Sequence, residues 1–150
     1  MKTLLLALLL VSSLSGACET IGHLNHNPTN LRQCGRHWES AVGVDPWGHL
    51  VFPSDEVGLR IAFKVLKTYN RKYRIHSIEH LCGRWVSPKA SWKAKQNWIR
   101  AVRQRTHTKP GAKLLFTDPE MARMILKGIV YAENSCDDIP DSVYVAATTR

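Results

Sequence analysis

Four segments of the chain place apolar residues at helical spacing, and this repeated pattern restricts the fold more than any other feature. The segments span about 54–73, 77–87, 91–105 and 117–134. Ser54 and Ser77 precede the first two as capping residues. Thr117–Glu120 is a capping box with proline in the first turn, and it opens the last segment. The sequence therefore predicts a domain built mainly from amphipathic helices.

The stretch just before the first of these helices has a pattern typical of a β-hairpin. Apolar residues at 41–44 and 49–52 flank Asp-Pro-Trp-Gly at 45–48, which suits a type I turn. The tail after residue 136 fits either a last short helix or an extended strap. No repeat or linker interrupts the chain, so we expect one mainly α domain with a small β-hairpin, in the α+β class.

The first 17 residues have the pattern of a signal peptide. Lys2 precedes an apolar run at 3–11, and small residues follow up to Ala17. The run is shorter than the roughly 20 residues of a membrane-spanning helix. We therefore expect cleavage after Ala17 and a single exported domain of residues 18–150, periplasmic or extracellular. The alternative is a lipoprotein acylated at Cys18, although Ser15 stands where a lipobox has leucine; without that lipid, no stable membrane anchor is expected.

The formal net charge of +9 predicts attraction to polyanions. Because the protein is expected outside the cytoplasm, peptidoglycan and other acidic envelope polymers are favoured as partners over nucleic acid. The third helical segment concentrates part of this charge on its outer face. Ordinary solvation explains that face better than a dedicated polymer groove does. Its basic residues are Lys93, Lys95, Arg100, Arg103 and Arg105.

The four cysteines, at positions 18, 34, 82 and 136, all lie in the expected exported domain. An even number in a small exported protein predicts two disulfides, and the sequence leaves all three pairings open. Cys82 falls on the apolar side of a helix and fits a buried free thiol equally well. The cysteines are too dispersed to resemble a zinc motif.

The segment from Gly22 to Arg32 crowds asparagines around a proline. Asparagine amides fix turns through their own backbone, and they also offer the donor and acceptor that sugar hydroxyls require. The sequence does not separate these two roles. If the segment binds substrate, Asn27, Asn30 and Arg32 are the expected contacts.

Two acids are candidates for catalysis. Glu133 ends an otherwise apolar helical stripe, and a carboxyl withdrawn from water keeps its proton to higher pH, as a general acid needs. Glycoside hydrolysis commonly pairs such an acid with a second carboxylate. Asp45 is the candidate partner, although aspartate is also the expected first residue of this turn type. Trp47 at the turn tip could stack on a sugar ring, and Asn134 is a further candidate contact.

The sequence supports a metal site or a cysteine nucleophile less strongly. Histidines 23, 26 and 37 could form a metal site with Asp45 or Glu133, but no His-Glu-x-x-His pattern is present. A Cys34 nucleophile paired with histidine requires that this thiol stays reduced. We expect neither a metal nor a cofactor.

A series of motifs stands in a fixed order along the chain. They are Gly22, Asn25, Asn27-Pro28, Asn30-Leu31-Arg32, Trp38, Gly43, Asp45, Phe52, Gly58-x-Arg60, Tyr69, Arg84-Trp85, Trp98-Ile99, Val102 and Glu133-Asn134. This order resembles a family found mostly in tailed phages and prophages, usually labelled virion structural or lysozyme-like proteins. Its members open with an Asn-Asn-Pro-Gly-Asn-Ile-Arg-type block and close with a helix ending in Glu-Asn. The likeness spans Ile21 to about Asn134.

The resemblance implies a fold similar to lysozymes and lytic transglycosylases, and action on peptidoglycan during phage entry or exit. The chain departs from the family pattern at Thr29, at His26 and at Val86-Ser87-Pro88, which replace glycine, asparagine and Ala-Pro-Pro. Because a fold hosts inert roles as readily as catalysis, the resemblance implies fold more strongly than activity.

We therefore expect an exported enzyme of lysozyme or lytic transglycosylase type that cleaves glycan strands. Glu133 would be the general acid, and Asp45 a base or a stabiliser of the cationic transition state. The alternatives are a non-catalytic wall-binding or virion structural protein and, from charge alone, a general polyanion binder.

Overall fold

The computed structural model describes residues 17–149, so the expected signal peptide at 1–17 lies outside the described residues except for Ala17. The elements in chain order are α1 Ile21–Leu24, β1 Gly43–Val44, β2 Leu50–Val51, α2 Asp55–Tyr73, α3 Ile78–Trp85, α4 Trp92–Thr106, α5 Pro119–Asn134 and α6 Asp141–Thr148. The expected α+β class, mainly helical with a small antiparallel sheet, is confirmed. The tail after residue 136, for which the sequence allowed a short helix or an extended strap, forms the helix α6.

The helix starts follow from local capping, as the sequence predicts. The Ser54 hydroxyl oxygen accepts the backbone N–H of Val57, and the Ser77 hydroxyl oxygen accepts that of His80. The start of α5 needs one correction, because Asp118 rather than Thr117 is the cap. The Asp118 carboxylate accepts the Met121 N–H at 2.7 Å, and a carboxylate at this position also suits the positive end of the helix dipole.

The core lies between two pairs of helices, since α4 packs mainly on α5 and α2 packs on α6. The apolar stripe of α5 supplies the centre of this core with fully buried side chains. They are Ile125, Leu126, Ile129 and Val130. No helix among residues 17–149 is long and apolar enough to cross a bilayer.

The hairpin forms where the turn residues predict it. Gly43 pairs with Val51 and Val44 with Leu50, and the Gly48 N–H donates to the Asp45 carbonyl at 3.0 Å to close the turn. The N-terminal segment adds to this sheet, because the Leu50 N–H donates to the Leu31 carbonyl at 2.9 Å. The hairpin therefore holds the asparagine-rich segment in place.

One disulfide forms, between Cys18 and Cys136, and it joins the start of the described chain to the residues just after α5. Cys34 is an exposed free thiol, and Cys82 is a buried one. The expectation of disulfide bonding is confirmed for one pair, and Cys82 is the buried thiol that its helical position allowed. A sulfur shared with Cys136 is not free to carry a lipid, so the disulfide form of Cys18 is not acylated.

The asparagine-rich segment packs against α2 through a close backbone approach at Gly58. A Cβ atom at this position would lie 2.1 Å from the His26 carbonyl oxygen. Only a residue without a side chain lets the two backbones come this near. The first turn of α2 therefore fixes where the segment lies.

We expect Gly58→Ala to destabilise the protein by about 2 kcal/mol, since overpacking outweighs the better helix propensity of alanine. Urea unfolding followed by circular dichroism measures the change. Gly83→Ala is the matched control, because Gly83 lies in α3 with no atom within 4 Å of an added Cβ. The control should be neutral or stabilising. Equal stability of Gly58→Ala and the wild type would contradict the close approach.

Candidate functional site

Glu133 lies in the last turn of α5 with its carboxylate turned into the protein. The Trp98 indole N–H donates to its Oε1 at 3.0 Å, and the Asn30 side-chain N–H donates to its Oε2 at 3.4 Å. Desolvation raises the pKa of Glu133 above its ordinary value of 4.5. The hydrogen bonds from Trp98 and Asn30 and the charge of nearby His49 oppose this rise only in part. The carboxyl is thus held in one orientation and kept protonated to higher pH than usual.

Three parts of the chain position this carboxyl. Helix α4 packs on α5 and buries Trp98, which is 5% exposed, so its indole reaches Glu133 from the core side. Asn30 reaches it from the asparagine-rich segment in a left-handed backbone conformation with φ of 52°, which asparagine tolerates better than most residues. The asparagine-rich segment and the end of α5 therefore meet at Glu133.

The contacts of Asp45 fit the turn role that the sequence offered beside the catalytic one. Its Oδ1 accepts the backbone N–H groups of Trp47 and His49, at 2.9 and 2.8 Å. Its Oδ2 accepts the Asn25 amide at 2.8 Å and lies 3.1 Å from His49 Nδ1. Desolvation alone would raise the pKa of Asp45, but these hydrogen bonds outweigh it and lower the pKa to about 2. Its side chain is only 6% exposed, so the carboxylate stabilises the turn and orients His49.

His49 and Trp98 are the residues beside the two acids that the sequence analysis did not name as site candidates. His49 follows the turn directly, and its ring is held by Asp45 while its charge lowers the pKa of Glu133. The available signal was the spacing of four residues between Asp45 and His49 across a predicted tight turn, which brings the two side chains to one end of the hairpin.

The side chains of Asn27 and Asn134 are held by hydrogen bonds within the protein. The Asn27 side chain is fully buried and bonds the backbone of Leu31 and Leu50. Asn134 donates to the carbonyls of Pro28 and Val130, at 2.6 and 2.8 Å, and accepts the Thr20 hydroxyl at 2.5 Å. Their polar atoms already have partners, so the two expected sugar contacts are turn-forming and tethering groups in this arrangement.

Arg32 and Trp47 remain available at the surface. The Arg32 guanidinium donates to the Trp47 carbonyl, and Arg32 pairs with His49 in an isolated β-bridge. The Trp47 side chain is 59% exposed at the turn tip, as expected. Both residues therefore flank the side of the hairpin that carries His49.

The other sequence candidates lie apart from this cluster. His26 Nδ1 lies 3.0 Å from Asp55, and His23 Nε2 lies 3.4 Å from Asp138, so neither joins Asp45 or Glu133. Two open surface depressions, of about 560 and 460 Å³, lie along α4 near Arg100 and beside Tyr73, away from Glu133. Neither depression is lined by Glu133 or Asn30.

Comparison with known proteins gives one distant match. No protein-family model matches the chain. The chain is 27% identical over 118 residues to Protein P5 of Pseudoalteromonas phage PM2, covering 75% of this chain and 70% of that protein. It thus has weak homology to a phage protein. This confirms the expected phage connection at a coarse level, while the specific lysozyme-like family stays a prediction.

The lowered pKa of Asp45 predicts an acid-sensitive fold. The ionised carboxylate stabilises the folded state above the ordinary pKa of 3.8, and this stabilisation is lost as the pH falls towards 2. Asp45→Asn should lower the thermal midpoint at pH 7 and flatten its dependence on pH between about 4 and 2. Scanning calorimetry across this range measures both effects. Glu39→Gln, an exposed acid in a loop, should leave the curve unchanged. If the thermal midpoint of Asp45→Asn depends on pH as steeply as that of the wild type, the stabilising role given to the Asp45 carboxylate would be wrong.

Proposed function

We propose that the protein is an exported peptidoglycan-cleaving enzyme that acts on glycan strands, with Glu133 as its general acid. The observation that carries the proposal is the Glu133 carboxyl, which is desolvated, oriented by Trp98 and Asn30, and has a raised pKa. Such a group can donate a proton to a leaving glycosidic oxygen at a higher pH than an exposed glutamate can. The weak homology to a phage protein and the Cys18–Cys136 disulfide support a role outside the cytoplasm.

The surroundings of Asp45 favour the lytic transglycosylase chemistry over hydrolysis by two carboxylates. All the hydrogen bonds to Asp45 are internal, so this carboxylate is poorly placed to activate water. In the proposed reaction Glu133 protonates the leaving oxygen as the bond to the anomeric carbon breaks. The resulting Glu133 carboxylate then takes the proton of the sugar's own C6 hydroxyl, which attacks the anomeric carbon to form an anhydro sugar.

Substrate positioning falls to groups at the rim of the cluster. In the proposal, Asn30 holds the Glu133 carboxyl through its side-chain N–H. Arg32 contacts the carboxylates of stem peptides, and the exposed indole of Trp47 stacks on a sugar ring.

A second candidate is a non-catalytic wall-binding or virion structural protein. The observation favouring it is the outer face of α4, where Trp92 is 76% exposed beside the basic residues expected there. An acidic polymer could bind this face through charge and stacking with no bond broken. General polyanion binding, including nucleic acid, would use the same charges.

Mass analysis of the muropeptides released from purified peptidoglycan tests the proposal. Anhydro-sugar ends are the expected product. Reducing ends would instead indicate hydrolysis, and would overturn the transglycosylase assignment while keeping Glu133 as the acid. Tight wall binding without released fragments, in protein shown to be folded by circular dichroism, would support the second candidate.

A further inference from the structure

A cluster of two sulfurs and one imidazole lies at the opposite end of the N-terminal segment from Glu133. Its members are Cys18, His23 and Cys136, whose ligand atoms all lie within 4.8 Å of one another. In sequence Cys136 is far from the other two, which is why no cysteine spacing indicates a metal site. The disulfide and the start of α1 bring the three together.

The ring of His23 is oriented as in a metal site. Its Nδ1 lies 3.3 Å from Cys18 Sγ, and its Nε2 lies 3.4 Å from Asp138 Oδ1. The His23 side chain is only 9% exposed. Its Nε2 is close enough to Asp138 for an ion pair but makes no hydrogen bond among the described residues. Asp138 also accepts the Cys18 backbone N–H at 2.9 Å. A carboxylate behind a histidine that faces a ligand position is the usual outer-sphere support of a bound metal.

We propose that, once the disulfide is reduced, Cys18, Cys136 and His23 bind one zinc-class divalent cation. Two thiolate sulfurs and one imidazole nitrogen are ligands that zinc prefers, and a water or the nearby Thr20 hydroxyl completes a tetrahedral site. Thr20 Oγ1 lies 2.9 Å from His23 Nδ1, so it is within reach.

A thiol reductant can convert the Cys18–Cys136 disulfide into the two thiols that the metal site needs. Two reductant thiols become a disulfide and give two electrons and two protons to the Cys18–Cys136 bond, which yields two free thiols. Zinc binding then releases both thiol protons to solvent, because the ligands are thiolates. The sulfurs must separate to roughly 3.8 Å on a metal with bonds near 2.3 Å. The backbones of Cys18 and Cys136, with Cα atoms 6.0 Å apart, are suitably placed for both linkages.

The consequence is that the same residues tie the N-terminal segment to the end of α5 in both redox conditions. A disulfide does so in oxidising surroundings, and a metal does so in reducing ones. This inference is independent of the proposed catalytic activity, because none of its residues contacts Glu133.

Titration with Co²⁺ tests the proposal, since a thiolate ligand gives cobalt a charge-transfer band in the near ultraviolet. The protein carries Cys34→Ser to remove the exposed free thiol, and a phosphine reductant opens the disulfide. We expect one equivalent to bind with that band, and zinc to displace it. His23→Ala should weaken binding by at least 10-fold, and Asp138→Asn by about 10-fold. His37→Ala, which changes an exposed histidine in a loop, is the matched control and should leave Co²⁺ binding unchanged.

A second measurement keeps the test valid if the reduced protein is poorly folded. Saturating zinc should raise the thermal midpoint of the reduced protein, and leave that of the oxidised protein unchanged. The proposal is overturned if reduced protein binds Co²⁺ without the thiolate band, if His23→Ala binds as tightly as its parent, or if zinc stabilises neither form.

Discussion

Replacing Glu133 with glutamine should abolish glycan cleavage, lowering the rate by roughly 100- to 10,000-fold. Glutamine keeps the shape of a protonated glutamate but has no proton to donate to the leaving oxygen. The expected loss of rate therefore comes from the missing proton and not from a change in the shape of the site. Release of soluble muropeptides from purified peptidoglycan measures it.

The fold should tolerate this substitution unusually well. Desolvation penalises the ionised form of Glu133, as its raised pKa records, and glutamine removes that penalty at neutral pH. The Trp98 indole can still donate to the amide oxygen. Asn30 can accept from the new amide nitrogen by turning its unpartnered oxygen towards it. We expect the thermal midpoint of Glu133→Gln at pH 7 to equal or exceed that of the wild type.

The matched control is Glu120→Gln, which changes an exposed glutamate in the first turn of the same helix. Its activity should stay within twofold of the wild type. In the wild type, the rate should decline as the pH rises through the raised pKa of Glu133, because the deprotonated acid cannot donate. Full cleavage by a folded Glu133→Gln protein would rule out the proposed mechanism.

Removing the disulfide should produce the largest loss of stability. Cys18 and Cys136 are 118 residues apart, and a cross-link over a loop of this length contributes about 5 kcal/mol by restricting the unfolded chain. At roughly 4 °C per kcal/mol for a domain of this size, Cys18→Ala/Cys136→Ala should unfold about 20 °C lower. Scanning calorimetry with a metal chelator present measures the shift.

Cys34→Ser is the control for that pair, because the Cys34 thiol is free and exposed. It should leave the midpoint within about 2 °C. A reductant should lower the wild-type midpoint as far as the double substitution does, and should leave the double variant unchanged. A double variant that unfolds at the wild-type temperature would contradict the pairing.

The sequence predicted the features that depend on neighbouring residues. Ser54 and Ser77 cap helices because a cap needs only a side chain and the next turn of backbone. The hairpin turn formed at Asp45 for the same local reason. The error at the start of α5 was a shift of one residue between two adjacent side chains that can both cap.

The arrangement around Glu133 required knowledge of packing that periodicity does not carry. Asn30 and Glu133 are 103 residues apart, and Trp98 reaches the site only because α4 packs on α5. The sequence analysis named Asn30 and Glu133 as site candidates but did not name Trp98 as one. It also could not predict which asparagine side chains would hydrogen-bond to the backbone. Asn27 and Asn30 have the same chemistry and differ only in the groups that surround them.

The span of chain between Asn30 and Glu133 has a consequence for when the protein becomes competent. A ribosome that has made the asparagine-rich segment, the hairpin and helices α2 to α4 has still not produced the acid or the cysteine that fastens the segment to it. If Glu133 cuts cell wall as proposed, the nascent polypeptide is harmless until these residues are made. The cell that makes it is exposed to its activity only after Glu133 and Cys136 have emerged and the end of α5 has folded.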